Sequence, residues 1–494
     1  MVSGKFQGQY GSDVMLAASP ARSPAVACTG RGTWRWALAA ALGLFGCSAD
    51  GEPCNSGESC DLAGQVRVAT WWATRGELLA PFDILKASLR RSTGLEVTLA
   101  HRFQSKDYHT DWVEEQLDPN NVAPEPLDVF SANNGDEVLR WTPCAASGTP
   151  PETTRLLPLT DPALGVTHLD AKWIDRTFRA EVMRTLECDG RPYALPVGIH
   201  RINTLFFNKA LFRAAGYGVD GEPGLPLPRT LDELEAAAAA IREHLPLGIP
   251  GSSLQPAVFA LPARESWTLS LFIIENLMLA LATDEQHYQR FWQGEECDLA
   301  LLRATLTELG RLRPYFGSAE LSSADALERV GNGQAAMFVM GDWASADLPP
   351  DAVGAIPFPG TQRYFVFSAD VFALPAIASS DPGKGLAWLR AVTGEQTQRE
   401  FSSAKNALPA RSDLGEEPAA PDGAAPLWVR SLPAILPYYE GAPFASMQDQ
   451  LQSWLNSGDE SGESLLAYAS DEYLKLSNGR VACDASADPS TSIR

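Results

Sequence analysis

The sequence predicts an α/β protein built on parallel sheet, and three observations carry that prediction. Val66 and Val68 alternate as in a strand, Leu78, Phe82, Leu85 and Leu89 recur at helical spacing, and Leu95, Val97 and Leu99 alternate again. A strand, helix, strand order joins parallel strands. The second half repeats this grammar, and a chain of 494 residues is too long for one small core, suggesting two or three domains of about 100 to 200 residues.

At the N-terminus, Arg31 and Arg35 precede an apolar stretch, Trp36 to Phe45, that ends in Leu44-Phe45-Gly46-Cys47. This is the pattern of a secretory signal. The stretch falls well short of the roughly 20 apolar residues of a membrane-spanning helix. Its last four residues resemble the bacterial lipobox, which implies cleavage before Cys47, lipidation of that thiol, and a mature protein held to a membrane by acyl chains. Residues 1–46 are thus the expected signal peptide, and 47–64, short of large apolar residues, the expected tether. Removing the signal takes away Lys5, Arg22, Arg31, Arg35 and Asp13 and moves the formal charge from −22 to −25. So acidic a chain is a poor nucleic-acid binder. Six cysteines follow Cys47: Cys54, Cys60, Cys144, Cys188, Cys297 and Cys483. An oxidising compartment allows up to three disulfides among about 15 connectivities, with Cys54 and Cys60 close enough for a local pair and free buried thiols as the alternative.

Further along, Leu127 to Phe130 is a short strand candidate ahead of Asn133-Asn134-Gly135. Thr230 and Glu233 form a capping box that opens an Ala-rich helix running to about His244. Helical stretches lie near Leu269 to Leu281, Leu299 to Leu312, Gly383 to Phe401 and Ser446 to Leu455. Ala335 to Met340 and Tyr364 to Leu374 read as buried strands. Between the first strand and first helix stand Trp71 and Trp72. Neighbouring side chains in a strand point to opposite faces, so both rings can line one surface only if the chain has already left the strand. A loop at a strand end is where α/β proteins bind ligands. The alternative is packing against the sheet, which suits one of the two rings better than both.

Most chemistry-bearing motifs fail on context. Gly216-Tyr-Gly218-Val-Asp-Gly221 matches a dinucleotide fingerprint by letter, but it follows the helix-like run Lys209 to Ala215 where a strand is required, and a helix C-cap explains it better. No Gly-x-Ser-x-Gly, Walker A loop or His-Glu-x-x-His occurs, and the six histidines lack ligand spacing; His109 with Glu114 and Glu115 reads as a solvated helix face. No metal or other cofactor is called for. A glycosidase needs two carboxylates facing one bond, and Glu77, Asp342, Asp370 and Glu440 are candidates. A bound sugar needs carboxylates too, as acceptors for its hydroxyls, without a raised pKa.

Several separated segments then agree in order with one family. Trp71-Trp72-Ala-Thr-Arg-Gly-Glu77, Tyr193-Ala-Leu-Pro-Val-Gly-Ile-His200-Arg201-Ile-Asn203 with Phe207-Asn208-Lys209, Gly333-Gln-Ala-Ala-Met-Phe-Val-Met-Gly341-Asp342-Trp343, Phe367-Ser-Ala-Asp370-Val-Phe372 and Lys405-Asn-Ala-Leu-Pro409-Ala-Arg411 form the set. From about Val66 to Leu476 the chain resembles the family 1 extracellular solute-binding proteins of ABC importers, in their glucose/mannose-type branch. The resemblance implies a two-lobed periplasmic-binding-protein-like α/β fold, with a hinge and an interlobe ligand cleft. It implies lobes that are discontinuous in sequence: 65–199 with 356–398, and 200–355 with 399–479, followed by a tail, 480–494. It implies a binding protein, not an enzyme, partnered by a carbohydrate and an ABC permease.

Residue by residue, Trp71, Trp72 and Glu77 match sugar-contacting positions of that branch, Trp267 matches a further aromatic wall, and Asp370 and Lys405 match an acid and a base that bond hydroxyls. A pyranose has apolar C–H faces that lie on aromatic rings and an edge of hydroxyls that want charged partners. The polar shell departs from the branch at Glu440-Gly-Ala, where a His-Gly segment is expected, at Thr268, at Thr204 to Phe206, which lacks a Trp, and at Arg75. Glu440 is a ligand candidate of altered charge, and the resemblance supports carbohydrate as a class over glucose itself. Each position has a structural alternative: Trp267 as the start of a buried helix, Asp370 in a buried salt bridge, Lys405 on a solvated helix end, and Glu440 paired with Arg75. Trp343 reads as a turn anchor, Asp342 as its cap, and Arg201 and Arg411 as structural.

Overall fold

The computed structural model describes residues 64–74, 76–101, 103, 106–118, 120–121, 124–144, 154–246, 255–262, 275–292, 295, 297–317, 321–414, 434–437, 453–454, 467–468 and 471. The chain enters a first sheet at β1 (Gln65–Ala69), passes through α1 (Gly76–Thr93) to β2 (Glu96–Leu99), and through α2 (Lys106–Leu117) to β3 (Val129–Asn133). Strand β4 (Ala194–Arg201) closes this first passage. Two residues later β5 (Thr204–Asn208) opens a second sheet, completed by β6 (Ala257–Phe259), β7 (Ala335–Met340) and β8 (Val353–Pro357), with helices α3 (Leu231–Arg242), α4 (Leu299–Leu312) and α5 (Ser323–Gly331) between them. The chain returns to the first sheet along β9 (Tyr364–Ala373), followed by α6 (Pro382–Val392), α7 (Glu395–Lys405) and β10 (Ala434–Pro437).

The expected parallel core is present: β1 lies between β2 and β3, parallel to both, with Val66 opposite Val97 and Val68 opposite Val129. Arg67 and Asp128 lock that register, because the Asp128 carboxylate accepts the Arg67 backbone N–H at 2.9 Å, its Nε at 3.0 Å and its Nη2 at 2.6 Å. Long β9 runs antiparallel to β3 on one side and to β4 on the other, with a register shift between Asp370 and Val371. In the second sheet β5 is central, antiparallel to β7 and β8.

Each sheet supports its own core. Val68, Phe82, Leu89, Phe130, Leu195, Phe372 and Trp388 belong to the first, and Leu205, Phe212, Leu234, Met278, Leu309 and Phe338 to the second. Strand β9 joins them. Its period of two sends Phe365 and Phe367 into the first core and Tyr364 and Val366 into the second. The architecture is therefore the expected two-lobed α/β fold, with chain crossings at Ile202-Asn203 and between β8 and β9.

Local expectations fare unevenly. The capping box at Thr230 and Glu233 opens α3, and Asp298 caps α4. The helix expected over Gly383 to Phe401 is two helices, because Thr393 ends α6 and Gly394 starts α7 in an extended conformation. The boundary drawn at 398 falls inside α7, and Phe401, Leu408 and Ala410 all pack into the first core. Sequence pattern does not reveal this, since an amphipathic helix carries no label for the core it faces.

Cys144 and Cys188 form a disulfide across 44 residues of chain, and Cys297 is disulfide-bonded as well. Replacing Cys144 and Cys188 together by alanine is expected to cost about 2–4 kcal/mol, the usual value of a natural crosslink, read as a lower urea midpoint with an unchanged far-UV spectrum.

Candidate functional site

The chain leaves β1 at Thr70 and turns at once through a 3-10 helix, Trp71–Thr74, with the Trp72 amide donating to Thr70 Oγ1 at 3.3 Å. That turn brings both indoles to one side, their centroids 5.7 Å apart and edge-on. Both are buried, at 8% and 1% exposure, against the expectation that only one would be. Trp72 fills a slot between Phe372 of β9 at 5.3 Å and Phe401 of α7 at 5.7 Å, and Lys405 Nζ stands 4.2 Å over its ring. Its Nε1 makes no hydrogen bond among the described residues. Trp71 meets His109 edge-on at 5.0 Å, and Lys106 Nζ lies 5.7 Å over its ring.

His109 corrects a second expectation. The helix face it occupies is turned inward, where Phe103 at 4.8 Å and Trp71 enclose it. Burial pushes its pKa down to about 4, so the ring is neutral at physiological pH. One turn earlier Lys106 pairs with Glu137 at 2.6 Å, whose other oxygen accepts the Asn133 amide at 2.7 Å at the end of β3.

Asp370 and Lys405 come together, as the resemblance implies for an acid and a base of one site. Lys405, the last residue of α7, is buried and ion-paired with Asp370 Oδ2, so it does not sit on a solvated helix end. The same oxygen lies 3.2 Å from His200 Nε2, and His200 Nδ1 lies 2.8 Å from Asp342 Oδ1. Asp342 Oδ2 accepts the Arg201 backbone N–H at 2.9 Å. The result is an unbroken buried row, Lys405, Asp370, His200 and Asp342, running from the first sheet to the turn that follows β7 in the second. Burial alone would raise the Asp370 pKa, but Lys405 and His200 outweigh it and hold the carboxyl at about 2. Burial opposes charge on His200, yet hydrogen bonds to Asp342 and Asp370 raise its pKa above the ordinary imidazole value. Burial lowers that of Lys405, with Asp370 opposing.

The row rests on the crossings. Arg201 Nε donates to Asn203 Oδ1 at 2.9 Å and Nη2 to the Tyr364 carbonyl at 2.7 Å, while Asn203 Nδ2 donates to Thr361 Oγ1 at 2.9 Å. Both passages between sheets are thereby tied side by side, which gives Arg201 the structural role expected of it. Gly341 admits the Trp343 ring, since a β-carbon there would stand 2.0 Å from it, and that ring meets His200 edge-on at 5.2 Å.

Glu77 is the second residue of α1. Its side chain, together with Arg75, Trp267, Glu440 and Cys47, lies outside the described residues. Sequence reasoning gave His200 no role, although its place beside Arg201 at the end of a crossing strand was a usable signal. Among the described residues no helix is long and apolar enough to cross a membrane.

The two-lobed α/β fold is that of binding proteins of the periplasmic type. The chain belongs to the bacterial extracellular solute-binding protein family, whose pattern matches residues 130–399. It is 24% identical over 401 residues to an uncharacterised ABC transporter extracellular-binding protein of Pyrococcus horikoshii, covering 78% of this chain and 80% of that one. It is 26% identical over 258 residues to a xylose/arabinose-binding protein of Haloferax volcanii, covering 50% and 51%. Two solved structures share the fold. A bacterial solute receptor with exclusive preference for β-D-galactopyranose matches at a TM-score of 0.63 and 15% identity, over 83% of this chain and 98% of that one. The GacH receptor of Streptomyces glaucescens, solved free and with acarbose, matches at 0.62 and 18%, over 85% and 99%.

The buried neutral imidazole has a consequence in acid. An unfolded chain takes up a proton at His109 near 6.5 and the folded chain only near 4, so acidification between these values favours unfolding. At about 1.4 kcal/mol per pH unit the loss reaches about 3 kcal/mol by pH 4. His109→Phe is expected to remove that part of the acid sensitivity, measured as urea stability of both proteins from pH 7 to pH 4.

Proposed function

We propose that this protein is an extracytoplasmic sugar-binding lipoprotein that captures a carbohydrate between its lobes and delivers it to an ABC importer. The observation that carries the reading is the meeting of Trp71 and Trp72 with the Asp370–Lys405 pair at the end of β1, which sets aromatic surface beside charged hydroxyl partners. Trp71 is the wall on which a sugar face stacks. Trp72, at 1% exposure and covered by Lys405, is the support beneath it, with an Nε1–H that has no partner among the described residues and suits a sugar hydroxyl. Glu77, Trp267 and Glu440 complete the proposed ligand set on the strength of the family resemblance. The names of relatives that bind xylose and arabinose or are called probable sugar-binding periplasmic proteins favour the same ligand class.

Ligand that touches both lobes favours the closed state by its additional contacts there, and the closed form docks on the permease. No bond is made or broken. Asp370, held ionised by Lys405 and His200, has no proton to give to a glycosidic leaving group. Cys47, lipidated after signal cleavage, anchors the chain on the periplasmic side or at the cell surface.

Intrinsic fluorescence titrated with D-galactose, D-xylose, L-arabinose, maltose and longer oligosaccharides is expected to give a saturable change with at least one. Silence across the panel would sink the sugar assignment. With the responding sugar, Trp71→Ala should weaken binding about tenfold or more, the loss of about 1.4 kcal/mol of stacking. Both rings are buried, so both replacements should also lower stability, Trp72→Ala by about 3–5 kcal/mol, as large buried rings do. Mass spectrometry of the membrane-extracted protein is expected to find an acylated N-terminal Cys47, and an unmodified mature N-terminus would refute the anchor.

A further inference from the structure

We propose that His200 is a positioning residue that couples the cleft carboxylate Asp370 to the second lobe through Asp342, so that one imidazole reports the state of the site to the hinge. The geometry carries this. Both ring nitrogens are engaged, Nε2 with Asp370 on β9 of the first sheet and Nδ1 with Asp342 in the turn after β7 of the second. His200 is the penultimate residue of β4, next to Arg201, which ends the strand and bonds the Tyr364 carbonyl at the crossing. By hydrogen bonds His200 thus joins an Asp370 oxygen to the second lobe in one step.

A protonated ring donates to both carboxylates at once; a neutral ring donates to one and must turn a lone pair toward the other. Loss of the proton therefore breaks one side of the bridge. The charged groups around it are few: Asp370 from β9, Asp342 from the turn after β7, Arg201 from β4, Lys405 from α7 and, behind Lys405, Lys106 from α2 with its partner Glu137. Two carboxylates balance His200 and Lys405 in the row. A ligand hydroxyl that takes up part of Asp370's charge weakens its hold on His200, and the change passes to Asp342 and to the Arg201 amide that Asp342 accepts. The raised basicity of His200 is what this arrangement requires.

The inference deepens the sugar-receptor reading and rests on it only for the ligand arm of the test. In the ligand-free full chain with isotope-labelled histidines, six resonances are expected, and the one missing from His200→Gln should titrate above the ordinary imidazole range. Asp342→Asn, which keeps the shape and removes the charge, should lower that midpoint by about 1–3 pH units. The Arg201 amide reads the hinge: its exchange protection, corrected for intrinsic rates, should fall as pH rises through the midpoint in the wild type and be flat in His200→Gln. A His200 midpoint at or below 6.5, or the same pH-dependent protection in both proteins, overturns the coupling. In the ligand arm, the Kd for whichever of D-galactose, D-xylose, L-arabinose or maltose binds should weaken about tenfold across the same midpoint, and a pH-independent Kd also overturns it. If none of the four binds, the monosaccharide and maltose form of the sugar reading is what fails, and the two ligand-free arms still decide the coupling.

Discussion

The structure depends on a buried row of charge, Lys405, Asp370, His200 and Asp342, at the point where the chain passes between sheets. Removing four ionic groups from water is costly, and mutual attraction repays it only when every partner is present. Here the basic groups Lys405 and His200 alternate with the carboxyl groups of Asp370 and Asp342, and the ends of the row are tied by the Trp72 ring and the Arg201 amide. A row of this kind contributes little net stability over an apolar filling. What it supplies is position: Asp370 cannot shift without disturbing His200, nor His200 without Asp342.

The aromatic layer follows from the same constraint. Lys405 is desolvated, and the face of Trp72 is one of the few apolar surfaces that attracts an ammonium. Trp72 in turn needs Phe372 and Phe401, which brings α7 onto the first sheet and sets the C-terminus of that helix beside Asp370. Trp71 is then the ring left at the outer edge of the layer, and His109 and Lys106 of α2 fix its angle. The position of Trp71 is thus set by its contacts with neighbouring side chains.

How much of this was legible depends on the range of the interaction. Strands β1 and β7, the capping box of α3 and the exit of the Trp pair from β1 follow from residues within a few positions of one another, and the sequence pattern carries them. The break between α6 and α7 was legible only in hindsight, at Thr393-Gly394. His109 was misjudged because its neighbours Glu114 and Glu115 suggest a solvated face, while the groups that bury it, Trp71 and Phe103, come from other segments. The lobe boundary near 398 failed likewise: α7 belongs to the first core by contacts with β4 and α1 that no local pattern encodes.

By itself the sequence determined an α/β chain that passes between its lobes more than once, the family it resembles, and the candidates Trp71, Trp72, Asp370 and Lys405, because periodicity and short motifs are properties of neighbouring residues. Only the tertiary structure decided that both rings are buried, Trp72 at 1% exposure and Trp71 at 8%, and that Asp370 and Lys405 are ion-paired. It alone decided that His200 joins them to Asp342. Those decisions turn on whether a charge or ring is desolvated and by whom, and desolvation is set by segments that lie 35 to 170 residues apart along the chain.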